Sequence, residues 1–251
     1  MPEPSTKAKL NDWFELVSYP FIGLLFSTFC GGIFAHITEL LHKPDYSVNM
    51  SVDITTSDQI YTLASMTLFS VVFILVVLWF GFSNKKYSWE AFGLKPLKID
   101  WRKVGKIALF GVVLVAFEIL VIYILNLTKI NIPTFRKDST LEIIVSNNFF
   151  LFLTFVLVIG IIGPVIEEIY FRGILFGWFR RYFKPWVGII VTSTIFGLLH
   201  YKSILTLAMA FVWGLMFSWL YEHEKSLVYP IALHMTINIT VKFANFYLPG
   251  V

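Results

Sequence analysis

Charge and cysteine are both scarce in this chain. Asp, Glu, Lys and Arg make up 14% of its 251 residues, against about 25% in soluble domains. No polar block is long enough to form a soluble domain of its own. The only cysteine, Cys30, lies inside an apolar run, which excludes a disulfide framework and a cysteine-rich metal site. The net charge of +4 is modest, and the basic residues gather at the edges of apolar stretches. They speak to membrane orientation, and no nucleic-acid partner is expected. No internal repeat or low-complexity tract is visible.

What remains is apolar: 57% of the residues are hydrophobic, with 26 Phe and 8 Trp, and the mean hydropathy is +0.74. Seven apolar stretches are long enough, or nearly so, for a hydrocarbon core that needs about 20 helical residues. They are Leu16–Leu41, Ile60–Phe82, Val104–Leu127, Phe149–Phe179, Trp186–His200, Ser203–Tyr221 and Leu227–Leu248. The expected fold is therefore an all-α, polytopic transmembrane helix bundle, a single integral membrane domain over residues 1–251. It has seven transmembrane helices, or eight if the segment from Thr140 supplies a further, partial one. The first stretch is too long for a signal-peptide core and reads as a retained helix. The fourth is too long for one straight crossing and contains Gly160, Gly163 and Pro164, so a kink or a break into two helices is expected there.

Lys85, Lys86, Lys95, Lys98, Arg102 and Lys103 crowd one loop, and Arg180, Arg181 and Lys184 another. A seven-helix count puts both loops on the same side. The loop from Glu39 to Gln59 is acidic and falls opposite. The positive-inside rule then makes the N-terminus cytoplasmic and the C-terminal tail external. The expected location is a cell membrane crossed several times, the plasma membrane of a bacterium.

A charge within the bilayer costs at least about 2.5 kcal/mol, so the few ionisable residues inside the stretches are candidates for function. They are Glu118, Glu167, Glu168, Arg172, His200 and His234, with the amide Asn238 one turn after His234. Glu168 and Arg172 are spaced i, i+4 with the acid first, the better order for a helical ion pair. Glu167 is rotated about 100° from its neighbour on a helix and is less well placed for that arginine. It lies 13 residues back from Arg180, and His200 lies 14 residues on from Trp186, or roughly 20 Å each at 1.5 Å per residue. His234 and Asn238 lie at overlapping depth and share a helix face. A carboxylate, two imidazoles and an amide from three stretches thus fall in one stratum.

That set fits the activation of a water molecule. A desolvated glutamate beside an imidazole suits a general base, so a water between Glu167 and His200 would be the nucleophile. His234 and Asn238 could donate to a developing oxyanion. Alternatively Glu167, His200 and His234 could bind zinc, which takes N and O ligands and activates water.

The pattern Glu167-Glu168-x-x-x-Arg172, Phe196-x-x-x-His200 and His234-x-x-x-Asn238 resembles the three-motif signature of the CPBP family, the CAAX proteases and bacteriocin-processing (Abi) proteins. Pro164, Phe171-Arg172-Gly173 and Pro230 fit as well. The resemblance covers residues 150–240, which would form the catalytic core. It implies an intramembrane endopeptidase with a conical cavity opening in the membrane. In that family the residues matching Glu167 and His200 activate water, those matching His234 and Asn238 stabilise the oxyanion, and those matching Glu168 and Arg172 support them. It implies a lipidated or membrane-embedded protein or peptide as substrate: a CAAX-type protein, or a bacteriocin or pheromone. No substrate, and no answer on a metal, is legible in the residues. Glu118 is left unexplained by the motifs and reads as a helix-packing or lipid-interface acid. Two other readings stay open: a non-catalytic membrane partner that confers immunity or regulates by helix contacts, and a proton or ion transporter using intramembrane Glu and His.

Overall fold

The computed structural model describes residues 99–127, 149–201 and 203–247, together with Val72 and Leu75. All described regular structure is helical, with no strand among these residues. They belong to two compact units. One holds Phe149–Val158, Val72 and Leu75; the other holds 99–127 and 159–247, and every candidate described below lies in the latter.

Helix α1 runs Trp101–Leu127. Asp100 begins it, accepting the backbone N–H of Arg102 at 3.0 Å and of Lys103 at 3.1 Å, as an N-cap carboxylate does. The backbone is then helical from Phe149 to Tyr182: α2 Phe149–Phe155, a wide π-helical stretch Val156–Ile162, α3 Gly163–Glu168, a second π-helical stretch Ile169–Phe176, and α4 Gly177–Tyr182. After a short turn come α5 Pro185–Leu199, α6 Ile204–Glu224 and α7 Val228–Tyr247. Ser203 caps α6 with a reciprocal box to Thr206, satisfying free N–H groups at that end.

These bounds follow five of the seven apolar stretches within a few residues. The first two stretches and the segment Thr140–Asn148 lie outside the described residues, Val72 and Leu75 excepted, and both of those are helical. By length and composition three of the described helices can cross a membrane: Trp101–Ile124, Phe152–Tyr182 and Ile204–Glu224. Helix α5 is apolar but shorter. Helix α7 has the length, yet His234, Thr236 and Asn238 dilute its apolar character.

At Gly160–Pro164 the chain does not break into two helices. It stays helical and widens into the π-helical stretch just before Pro164. Proline has no N–H to give, and an i→i+5 ladder is one way to pass the fault without ending the helix.

Helix α5 packs along α6, α7 lies against α1, α3 and α6, and the second π-helical stretch lies against α5 and α6. Close approach depends on small residues. A Cβ on Gly214 would stand 3.0 Å from Cα of Ser193, and one on Gly197 would stand 3.0 Å from the Leu207 carbonyl. In lipid, where burying apolar surface drives nothing, such fitted contacts hold helices together. At one edge Lys103 meets Glu224 at 2.5 Å and Arg180 meets Glu222 at 3.0 Å, while Lys225 also pairs with Glu222. The start of α1 and the end of α4 therefore come to two acids at the end of α6, which brings Lys103 of one loop and Arg180 beside the other to one edge.

Candidate functional site

Glu167 and Glu168 close α3 and point to different neighbours. Glu168 is fully buried, and Oε1 accepts Nη1–H of Arg172, also fully buried, at 2.8 Å. The other guanidinium nitrogens are occupied as well. Nη2 donates to the Gly214 carbonyl at 3.1 Å, and Nε donates to Ser218 Oγ at 3.3 Å. Ser218 Oγ in turn lies 3.4 Å from Thr192 Oγ1. Phe196 and Phe217 flank the guanidinium, with ring centroids 4.9 and 5.1 Å from Cζ. A buried charge survives only when its hydrogen-bonding groups are matched, and here the planar fork of arginine is matched on all three nitrogens.

The same Glu168 Oε1 also receives His234. Nδ1 of His234 lies 2.8 Å away, and the imidazole is 4% exposed. Phe217 stacks on that ring at 4.6 Å and 19°. The hydrogen-bond pattern assigns the tautomer: a carboxylate that already pairs with arginine accepts, so Nδ1 carries the proton. Nε2 of the neutral ring then presents a lone pair.

His200 is fixed in a parallel way. It ends α5 as its C-cap, and its Nδ1 lies 2.8 Å from the Phe196 carbonyl. A carbonyl only accepts, so Nδ1 donates and Nε2 of the neutral ring again presents a lone pair. Phe196 lies against this ring at 4.2 Å. At 40% side-chain exposure His200 is the open partner of the set.

Between the two imidazoles sits Glu167. Its Oε2 is 3.6 Å from Nε2 of His200 and 3.8 Å from Nε2 of His234, and the atom makes no direct hydrogen bond. Three acceptor atoms from three helical elements thus converge without touching. Acceptors do not bond one another, and separations beyond about 3.5 Å are those a bridging water spans. The arrangement can hold a water, polarise it and take up its proton.

Asn238 is engaged elsewhere. Its Nδ2 donates to the Ile159 carbonyl at 3.1 Å. In an i→i+5 ladder the hydrogen for that carbonyl would come from residue 164, which is Pro164 and has none. The amide fills the gap that the proline leaves. Asn238 therefore ties α7 to the π-helical stretch ahead of the glutamates, and its Nδ2 is engaged there although its i, i+4 spacing sets it on the helix face of His234. Among the described residues no group of three or more His, Cys, Asp or Glu side chains is set to hold a metal ion as it stands. Glu167, His200 and His234 are the residues that would hold a zinc ion if one binds, and no step below passes through a metal.

Three contributors escaped the sequence reading: Phe217, Ser218 and Gly214. The legible signal was Gly214-x-x-x-Ser218, two small residues one turn apart on α6, a pattern of close helix contact.

Residues 149–240 match the family described as type II CAAX prenyl endopeptidase Rce1-like. An "Uncharacterized 24.3 kDa protein" of Escherichia coli is 41% identical over 83 residues, covering 32% of this chain and 38% of that protein. The "Putative membrane peptidase YdiL" of Bacillus subtilis (strain 168) is 33% identical over 86 residues, covering 34% of this chain and 35% of that protein. The chain thus spans little more than a third of the length of these curated relatives. No solved structure matches. The glutamate pair, Arg172, both site histidines and Asn238 all lie inside the segment, residues 149–240, that is similar to the Rce1-like CAAX endopeptidases.

Proposed function

We propose that this chain is an intramembrane endopeptidase that hydrolyses a peptide bond in a membrane-associated protein or peptide. One observation carries the reading: Glu167 Oε2 stands 3.6 and 3.8 Å from the Nε2 atoms of His200 and His234. The similarity of residues 149–240 to the Rce1-like CAAX endopeptidases supports it.

The chemistry follows from the acceptors. Water held between Glu167 and His200 gives a proton to the Glu167 carboxylate, and its oxygen bonds to the carbonyl carbon of the scissile peptide. The carbonyl oxygen becomes an oxyanion. As the C–N bond breaks, Glu167 returns the proton to the leaving nitrogen, and the oxyanion collapses to the new carboxyl group. His200 orients the water through Nε2. Glu168, Arg172 and Ser218 act behind the reacting atoms: they fix the ring of His234 and hence the wall opposite His200. In this reading Asn238 serves through Ile159, by setting the helix that carries Glu167. The substrate is of the CAAX type or a bacteriocin- or pheromone-like peptide, and the enzyme works in the plasma membrane of a bacterium.

The test is comparative peptidomics of membranes from cells carrying wild type or Glu167→Ala. Wild type should release peptides that are missing from the variant, their unprocessed precursors accumulating in its place. Identical peptide sets would exclude the proposed activity.

A further inference from the structure

Glu118 plays no part in the chemistry above, and it is not surrounded by lipid-facing side chains alone. It lines a cavity of about 280 Å³ between α1 and α6, together with Phe117, Val121, Met209, Trp213 and Met216. The cavity lies well inside the span: Glu118 is 15 residues beyond Lys103, which pairs with Glu224 at the basic edge. That is roughly 22 Å at 1.5 Å per residue. Leu205, the second residue of α6, lines the same cavity. It therefore sits in the half of these helices away from the basic edge.

Three features of the lining select a ligand. The walls are almost wholly apolar, so the body of the ligand is a hydrocarbon. The volume is at the lower end for small-molecule pockets, which admits one narrow chain and not a two-chain lipid. Glu118 is half-buried and makes no hydrogen bond or ion pair with a described residue. A carboxylate in such a place favours a cation, and two of its cavity neighbours, Phe117 and Trp213, are aromatics of the kind that attract ammonium groups. Methionines at 209 and 216 add adaptable walls.

We infer that the α1–α6 cavity is a binding site for a single-chain cationic amphiphile, with its ammonium group at Glu118 and its chain between Val121, Met209 and Met216. The site is separate from the Glu167 cluster and does not depend on the peptidase reading. It would let a single-chain lipid amine enter between α1 and α6 from within the bilayer.

The full-length protein in zwitterionic nanodiscs is labelled with C12 probes carrying a diazirine on the chain and an amine, a hydroxyl or a carboxylate at the end. Crosslinked peptides are mapped by mass spectrometry. The amine probe should label the segments around Glu118 and Trp213 at least tenfold more than the other two, and Glu118→Gln should reduce it to the level of the alcohol. Equal labelling by all three probes, or amine labelling unchanged in Glu118→Gln, would overturn the inference. If the variant does not melt like wild type, competition on wild type decides. Excess unlabelled dodecylamine should abolish the labelling and dodecanol should not; suppression by both alike would mean an apolar crevice without a cation site.

Discussion

His234 donates through Nδ1 to the Oε1 atom of Glu168 at 2.8 Å, and Arg172 donates to that same oxygen from the other side. The second glutamate of the pair is thus a buried anchor between a cation and a ring, while the first is left free to face the imidazoles. Removing one partner of a buried ion pair leaves an uncompensated charge, at a cost of about 3–5 kcal/mol. Arg172→Ala and Glu168→Ala should both lower thermal stability by that order, and Arg172→Lys should rescue little, because an ammonium cannot serve Glu168, Gly214 and Ser218 in one plane. Melting curves in detergent read this directly.

In Glu168→Gln the amide must keep its oxygen in the place of Oε1, because Arg172 and His234 both donate there and an NH₂ would oppose the guanidinium. His234 then keeps its proton on Nδ1, and its two ring nitrogens should hold their wild-type character in nitrogen NMR of the labelled protein. A wild-type ring carrying its proton on Nε2 would contradict the assigned tautomer.

Gly214 admits Ser193 because it has no side chain. Gly214→Val should push α6 from α5, destabilise by about 1–3 kcal/mol as overpacking does, and weaken the Arg172 bond to the Gly214 carbonyl. Ser218→Ala removes only one neutral partner and should cost about 1 kcal/mol. The same melting assay separates the two.

Asn238→Leu keeps the bulk of the side chain and removes the donor to Ile159. The carbonyl that Pro164 leaves without a partner then stays unsatisfied, which costs about 1–3 kcal/mol when buried. Pro164→Ala in the same chain supplies an N–H and should restore part of the loss. A double-mutant cycle on melting free energies gives the coupling; no coupling would sever the link between proline and asparagine.

Much of this architecture was readable from periodicity and spacing. The i, i+4 spacing of Glu168 and Arg172 gave their pair, and depth counted from Arg180 and Trp186 brought Glu167 and His200 together. Helix limits followed the apolar runs because a bilayer leaves the backbone no other partner. The π-helical stretches were not legible, because a shift in ladder register leaves no local residue pattern beyond Gly163-Pro164. Nor was the Asn238 bond to Ile159, which depends on that register. Phe217 and Ser218 were hidden among the apolar and small residues of α6, and only the packed structure brings them to Arg172 and His234.

The proposed division of labour, in which Glu167 activates water while Glu168 holds the frame, is open to a direct test in Glu167→Gln. Purified wild type and variant are reconstituted in the same vesicles with a membrane-anchored peptide that wild type cleaves. The variant should lose about a thousandfold in cleavage rate, with a melting temperature equal to that of wild type. Cleavage at the wild-type rate by a fully folded Glu167→Gln protein would contradict it.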